Sequence, residues 1–307
     1  MAVPAAAAQP VRVRVPATSA NLGPGYDSLG LALGMHDEVE VRPLGEPGTT
    51  VVVEGEGAAG LPCDESHLVV QAMRVALDRL GGGPPGLSLR CRNRIPHGRG
   101  LGSSAGAIVA GVVAARALVH DGAARLDDVA ALEIAGALEG HPDNVAPCLL
   151  GGATVAWTDA GRSRAVRLEV HPEVAVVVAV PEQRLGTREA RALLPDRVTH
   201  PDAAANAARA ALLVHALTRR PDLLLTATED RLHQEYRRTA MPASLALVDR
   251  LRAAGLGAVV SGAGPSVLVL TDRPGADQAA ALVGSGWAVL RPGIEPAGAT
   301  VEPVDGA

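Results

Sequence analysis

The residues best suited to chemistry lie in one stretch, Pro96-His97-Gly98-Arg99-Gly100-Leu101-Gly102-Ser103-Ser104-Ala105-Gly106. Glycines stand at alternate positions, two serines follow, and a small, apolar run from Ala105 to Val119 reads as a buried helix. A helix starting at Gly102 to Ser104 offers free backbone N–H groups and a partial positive charge, a setting that favours an anion and above all phosphate. The glycines let the backbone approach such a ligand, and the serine hydroxyls suit either capping or ligation of a metal that accompanies the phosphate. This is not the P-loop, because no Gly-Lys-Ser/Thr follows, nor the dinucleotide fingerprint, whose third glycine stands one residue farther on. On spacing alone, phosphate binding and a plain capped core helix weigh about equally.

Three other segments concentrate polar side chains in turn-forming sequence. Ala17 to Asp27 is a loop dense in Ser, Asn, Gly and Pro. In Glu139-Gly140-His141-Pro142-Asp143-Asn144-Val145 the proline biases His141 away from helix and holds its imidazole at a kink. Ser261-Gly262-Ala263-Gly264-Pro265-Ser266 reads as a tight loop between two short strands.

In this order the segments resemble the GHMP kinases, which phosphorylate small metabolites with ATP. Pro-x-Gly-x-Gly-Leu-Gly-Ser-Ser-Ala is similar to their phosphate-loop signature, and Ser261 to Ser266 to their third motif. Ala17 through Leu33 and Glu139 through Val145 look like the motifs of the homoserine-phosphorylating branch. The resemblance covers most of the chain. It implies an α+β, two-domain GHMP kinase fold, with a ribosomal-S5-like N-terminal domain and a ferredoxin-like C-terminal domain. It also implies conversion of ATP and L-homoserine to ADP and O-phospho-L-homoserine, in threonine biosynthesis, by an enzyme that is commonly a homodimer; a cytoplasmic location is expected separately, from widely spaced cysteines that read as reduced thiols.

Roles for residues follow from the same resemblance. Pro96 through Gly106 would bind ATP. Ser103 and Glu133 would hold Mg²⁺, since the family's metal carboxylate lies eight residues before the histidine of the Gly-His-Pro motif. Asn21, Asp27 and Asn144 would meet the substrate ammonium, Arg191 and Arg237 its carboxylate, and His141 and Gly264 would border it. Some family members use an Asp base beside a Lys. This chain has no Lys, and Asn144 lies in the substrate motif. Catalysis is therefore expected from positioning and charge stabilisation by Asn144, Ser103 and Arg191. Taken without the resemblance, Glu133, Arg191 and Arg237 read as solvated helix charges. Tyr26 stands where the family usually has Phe, and a phenol buried without a partner costs roughly 1–3 kcal/mol. Met35 and His36 occupy a stretch that is often aromatic in the family. The competing readings are a GHMP kinase for another alcohol, such as mevalonate, and a non-catalytic metabolite-binding regulator on the same fold.

The elements that must position these residues are legible from periodicity. Val11 to Val15 alternates as a strand, which Pro16 is expected to end. Strands follow near 38–42 and 49–54, then a helix from Ser66, its cap, to Leu80. A strand over 87–93 feeds the glycine loop. A helix over 127–138 is stopped by Gly140, and strands follow at 155–158, 164–170 and 173–180. Helices near 187–194, 201–219 and 243–254, strands 256–261 and 267–271, a helix near 275–283 and a strand near 287–291 complete the pattern. Residues 1–10 read as a disordered N-terminus, 11–165 as the ATP-binding domain and 166–307 as the second domain.

The chain of 307 residues is 48% hydrophobic, enough for a sizeable core, and its net charge of −5 gives no reason to expect nucleic acid or an acidic membrane as partner. It contains no Phe and no Lys, so every cation is Arg or His and the core is aliphatic. Cys63, Cys91 and Cys148 are too far apart in sequence for metal-ligand spacing and read as reduced thiols. No secretory signal and no membrane span is expected.

Overall fold

A computed structural model of the protein describes residues 9–304. Residues 1–8 of the tract read as disordered lie outside the described residues, whereas the carbonyl of Pro10 accepts a hydrogen bond from Val304 N–H.

The first half runs β1 (Val11–Ala20), β2 (Leu29–Leu44), β3 (Gly48–Gly55), α1 (Leu68–Arg79), β4 (Gly86–Asn93), α2 (Ser103–Leu118), α3 (Gly122–Arg125), α4 (Asp128–Glu139), α5 (Pro142–Leu150), β5 (Ala153–Asp159) and β6 (Arg162–Leu168). The second runs β7 (Ala175–Pro181), α6 (Thr187–Ala192), α7 (His200–Thr218), α8 (Leu224–Ala227), α9 (Pro242–Ala253), β8 (Gly257–Val260), β9 (Val267–Thr271), α10 (Arg273–Val283), β10 (Trp287–Leu290) and β11 (Thr300–Pro303).

Two sheets result. In the larger, the order is β11-β1-β2-β4-β3, with β5 on the lower part of β2 and β6 beyond it. The smaller has the order β10-β7-β9-β8, all antiparallel. With a helix before β8 and another after β9, it is the βαββαβ arrangement of a ferredoxin-like domain. One aliphatic cluster fills the space between the large sheet and α1, α2, α4 and α5. A second packs α9 and α10 on the small sheet. A third joins the two halves, setting Leu22, Leu31 and Leu33 against Val176, Val178, Leu268 and Leu270. These rows of Val and Leu alternate along their strands, which is how a chain without Phe still builds continuous cores.

The structure departs from expectation in several places, among them the following. Strand β1 does not end at Pro16; a bulge between Pro16 and Ala17 shifts its register, and it continues to Ala20. The cap of α1 is His67, whose Nδ1 accepts from Val69 N–H at 3.3 Å, while Ser66 is engaged with Asp64. Helix α5 begins directly at Pro142, where a proline fits the first helical turn. The boundary expected at 165/166 falls inside β6, and the chain end returns to the first sheet as β11, paired with β1.

Candidate active site

Helix α2 begins at the glycine loop with Gly102 as its N-cap, at φ 71° and with no side-chain hydrogen bond to the first turn. Its leading N–H groups are therefore left for a ligand, and because α2 is apolar and buried they cannot move away. Gly102 cannot be replaced without conflict, since an added Cβ would fall on Thr18 Oγ1 and close to Asn144 Oδ1. Gly100, at φ 71°, presses on the loop before β9, and its carbonyl accepts from Ser261 Oγ at 2.7 Å.

Two cavities meet at Ser103 and Ser104. One, of about 260 Å³, is mainly apolar and is lined by Val15, Val39, Leu68, Val69, His97 and Ala110 among others. Two buried polar groups face it. Among the described residues His67 Nε2 has no hydrogen-bond partner. Since Nδ1 accepts from Val69 N–H, the neutral imidazole carries its proton on Nε2, and burial pushes this histidine further toward the neutral form. Asp37 accepts from the N–H groups of Arg94 at 2.6 Å and Ile95 at 2.9 Å, tying down the entry to the glycine loop.

The other cavity, of about 210 Å³, is polar and is lined by residues from all four sequence segments and from α6. Asn144 is oriented by Thr18, whose Oγ1 donates to Asn144 Oδ1 at 2.8 Å. His141, the N-cap residue of α5, is extended as Pro142 requires, and its Nδ1 lies 2.6 Å from the buried Asp143. Burial alone would lower its pKa, but the hydrogen bond and charge of Asp143 outweigh it and the net shift is upward. Arg191 grips Asp27 with both terminal nitrogens, at 3.0 and 2.5 Å, and also donates to the Tyr26 hydroxyl at 2.8 Å. Asn21, Leu22 and Asp27 all have positive φ in this loop, a local strain held in place by the packing around it.

Arg237 is 1% exposed. Its Nε donates to Ala190 O at 3.1 Å and Nη1 to His233 Nδ1 at 2.8 Å, while His233 Nε2 donates to Gly23 O. Among the described residues Nη2 has no hydrogen bond to the protein, and the guanidinium has no carboxylate in ion-pair range. A buried, uncompensated cation facing a polar cavity is costly unless a ligand supplies the anion.

Most of the expected site residues are therefore brought together: Asn21, Gly98, Gly100, Leu101, Gly102, Ser103, Ser104, His141, Asn144, Arg191 and Arg237 line the polar cavity, and His97 and Gly106 line the apolar one. Others are not. Arg99 turns to the carbonyls of Pro181 and Glu182, and it lines neither cavity. Ala105 is buried in the core. Gly264 faces Met241, and Gly262 and Ala263 line the cavity in its place. Asn21 spends its amide on the scaffold, accepting from Asp27 N–H and donating to Gly262 O.

Glu133 does not reach the loop. Helices α2 and α4 run antiparallel, with Arg116 paired to Asp128 at one end and Ser104 to Glu139 at the other. Glu133 therefore lies about 9 Å along the axis from Glu139, where it pairs with Arg164. The carboxylate at the phosphate loop is Glu139, which accepts from Ser104 Oγ at 2.7 Å and whose pKa burial pushes up. Sequence reasoning missed Glu139, Thr18, His67 and Asp37. Only Glu139 carried a signal, its place in the Glu-Gly-His-Pro segment.

The GHMP kinases N terminal domain model matches residues 67–152, and the GHMP kinases C terminal model matches residues 200–287. The homoserine kinase of Streptomyces coelicolor is 60% identical over 304 residues, which cover 99% of this chain and 98% of that one. That of Leifsonia xyli is 51% identical, covering 95% and 91%. Among solved structures, a homoserine kinase from Cytophaga hutchinsonii superposes with a TM-score of 0.85 at 26% identity, covering 98% of this chain and 100% of that one. Mevalonate diphosphate decarboxylase from Staphylococcus aureus shares the fold, with a TM-score of 0.67 at 16% identity.

Proposed function

The chain belongs to the homoserine kinases of the GHMP family, and from that premise we propose how its two cavities transfer the terminal phosphoryl group of ATP to the side-chain hydroxyl of L-homoserine. The observation that carries the substrate half is Arg237, a buried guanidinium on the wall of a polar cavity with no counter-ion among the described residues. With Arg191 it suits a carboxylate, and Asp27 suits an ammonium, so the cavity matches an amino acid better than an alcohol acid such as mevalonate.

The nucleotide half rests on the apolar cavity. It opens beside the free N–H groups of α2, and His67 Nε2–H is a buried donor without a partner there, as a nucleobase would require. The triphosphate would then lie along Gly100 to Ser104. Ser104, in place of the Ser103 expected from the resemblance, and Glu139 are the oxygens that would hold Mg²⁺, an ion that takes few protein ligands and neutralises phosphate charge when bound. Thr18 fixes Asn144 Oδ1, which leaves the Asn144 amide N–H groups for the acceptor hydroxyl. In this proposal the transfer is driven by in-line positioning and by helix and arginine charge, without a side-chain base. The proposal extends to a cytoplasmic homodimer.

The test is ADP release in a coupled assay with Mg-ATP and L-homoserine, L-threonine, mevalonate or no acceptor. Turnover dependent on L-homoserine is expected. Turnover with mevalonate and none with L-homoserine would overturn the reading.

A further inference from the structure

Tyr26 lines the polar cavity half-buried, with two guanidiniums over its ring. Arg191 lies 5.5 Å and Arg237 5.9 Å from the ring centroid, and the ring of His233 packs at 5.3 Å on a tilted plane. The hydroxyl accepts from Arg191 Nη1 at 2.8 Å. A phenol has one proton to give as well as lone pairs to accept with, and among the described residues that proton has no acceptor. The phenol therefore sits beside the two cations of the site with an unused donor.

We propose that the Tyr26 hydroxyl is a specificity-determining contact: it donates to the carboxylate of the amino-acid acceptor, as a third donor beside Arg191 and Arg237. The inference deepens the reading of this cavity as an L-homoserine site and rests on it. The geometry favours a ligand role over a purely structural one. A hydroxyl serving only to hold Arg191 would be redundant, because Asp27 already fixes both terminal nitrogens of that guanidinium. When the substrate carboxylate draws Arg191 toward itself, the phenol is adjacent by virtue of the same hydrogen bond. Burial pushes the phenol pKa upward, with Asp27 acting in the same sense and the two arginines opposing, so the proton is present at neutral pH.

The experiment is Tyr26→Phe, with kcat and both KM values measured, and with L-homoserinamide, which has no carboxylate, as a competing ligand. Thermal melting controls for folding. The expected result is a KM for L-homoserine raised about tenfold, as for loss of a hydrogen bond to a charged group. The KM for ATP, kcat and the inhibition constant of L-homoserinamide should each move less than about twofold on that scale. An unchanged KM for L-homoserine overturns the proposal. So does an equal weakening of L-homoserine and L-homoserinamide, which would make Tyr26 a structural support. Absence of L-homoserine turnover in the unmodified enzyme is a different outcome and would fall on the functional reading itself.

Discussion

Arg191, on the cavity wall, and Asp27 form a two-pronged ion pair, and each is the group that one end of a free amino acid would seek. Binding would therefore exchange one internal pair for two external ones: the substrate carboxylate displaces Asp27 from Arg191, and the substrate ammonium takes the released Asp27. Both partners are about one-third exposed, so solvent screens the internal pair and keeps the exchange inexpensive.

The exchange predicts effects of opposite sign. Asp27→Asn should raise the KM for L-homoserine by about 10–100-fold, because an ammonium loses its counter-charge. The same change should improve binding of 4-hydroxybutyrate, which has the carboxylate but no ammonium, because Arg191 is no longer occupied. Arg191→Ala should weaken both. If Asp27→Asn weakened both ligands equally, Asp27 would be a structural residue and the exchange would be wrong.

Glu139 and Glu133 lie on one helix but in different surroundings, and a pair of variants separates them. Glu139→Gln should lower kcat by about 10²-fold and raise the Mg²⁺ concentration needed for half-maximal rate, as expected when a group stabilising phosphoryl charge is neutralised. Glu133→Gln breaks only a partly exposed pair with Arg164, worth about 0–1 kcal/mol of stability, and should leave the Mg²⁺ dependence unchanged. The reverse pattern in Mg²⁺ titrations would return the metal role to Glu133.

His67 provides a check on the nucleotide cavity that does not involve the acceptor. His67→Leu removes the free Nε2–H and should raise the KM for ATP about 5–10-fold, with the KM for L-homoserine unchanged. It also removes the cap of α1, at a cost of about 1 kcal/mol seen as a lower melting temperature. His67→Asn retains a capping oxygen and a donor and should recover most of both losses. An unchanged KM for ATP in His67→Leu would place the base elsewhere.

How much of this could be read from sequence depends on the range of the interaction. The glycine loop, the helix after it and the kink at His141 are local: Gly spacing, small apolar residues and Pro142 act within a few residues of themselves, and the structure has them as expected. The strand β11 is not local. Thr-Val-Glu-Pro has little hydrophobic signal, and it becomes a strand because β1 offers a free edge. The place of Glu139 beside Ser104 was hidden for the same reason, since counting residues from His141, which pointed to Glu133, does not contain the antiparallel packing of α2 on α4. Arg99 was expected to bind ATP with the rest of its stretch, but its side chain turns to carbonyls on β7 and just after it, which are distant in sequence. The need of Tyr26 for a partner was legible; that the partner is Arg191 was not.

Asp37 makes stability depend on pH in a direction opposite to that of a salt-bridged carboxylate. It is 6% exposed, and burial pushes its pKa up to about 6 against the downward pull of the Ile95 and Arg94 N–H groups. The unfolded chain would hold this carboxyl at about 3.9. Between about pH 4 and pH 6 the folded protein thus retains a proton that the unfolded chain has released, so stability falls as pH rises through that window and stays lower above it. The deficit is on the order of 2–3 kcal/mol at neutral pH. Asp37→Asn removes the titration while leaving an oxygen to accept both N–H groups. Relative to the unmodified protein it should gain stability from pH 4.5 to just above pH 6 in urea unfolding and hold that gain to pH 7.5, with the difference smallest at the acid end. A stability difference that did not change across that range would show that Asp37 is ionised in the fold without penalty.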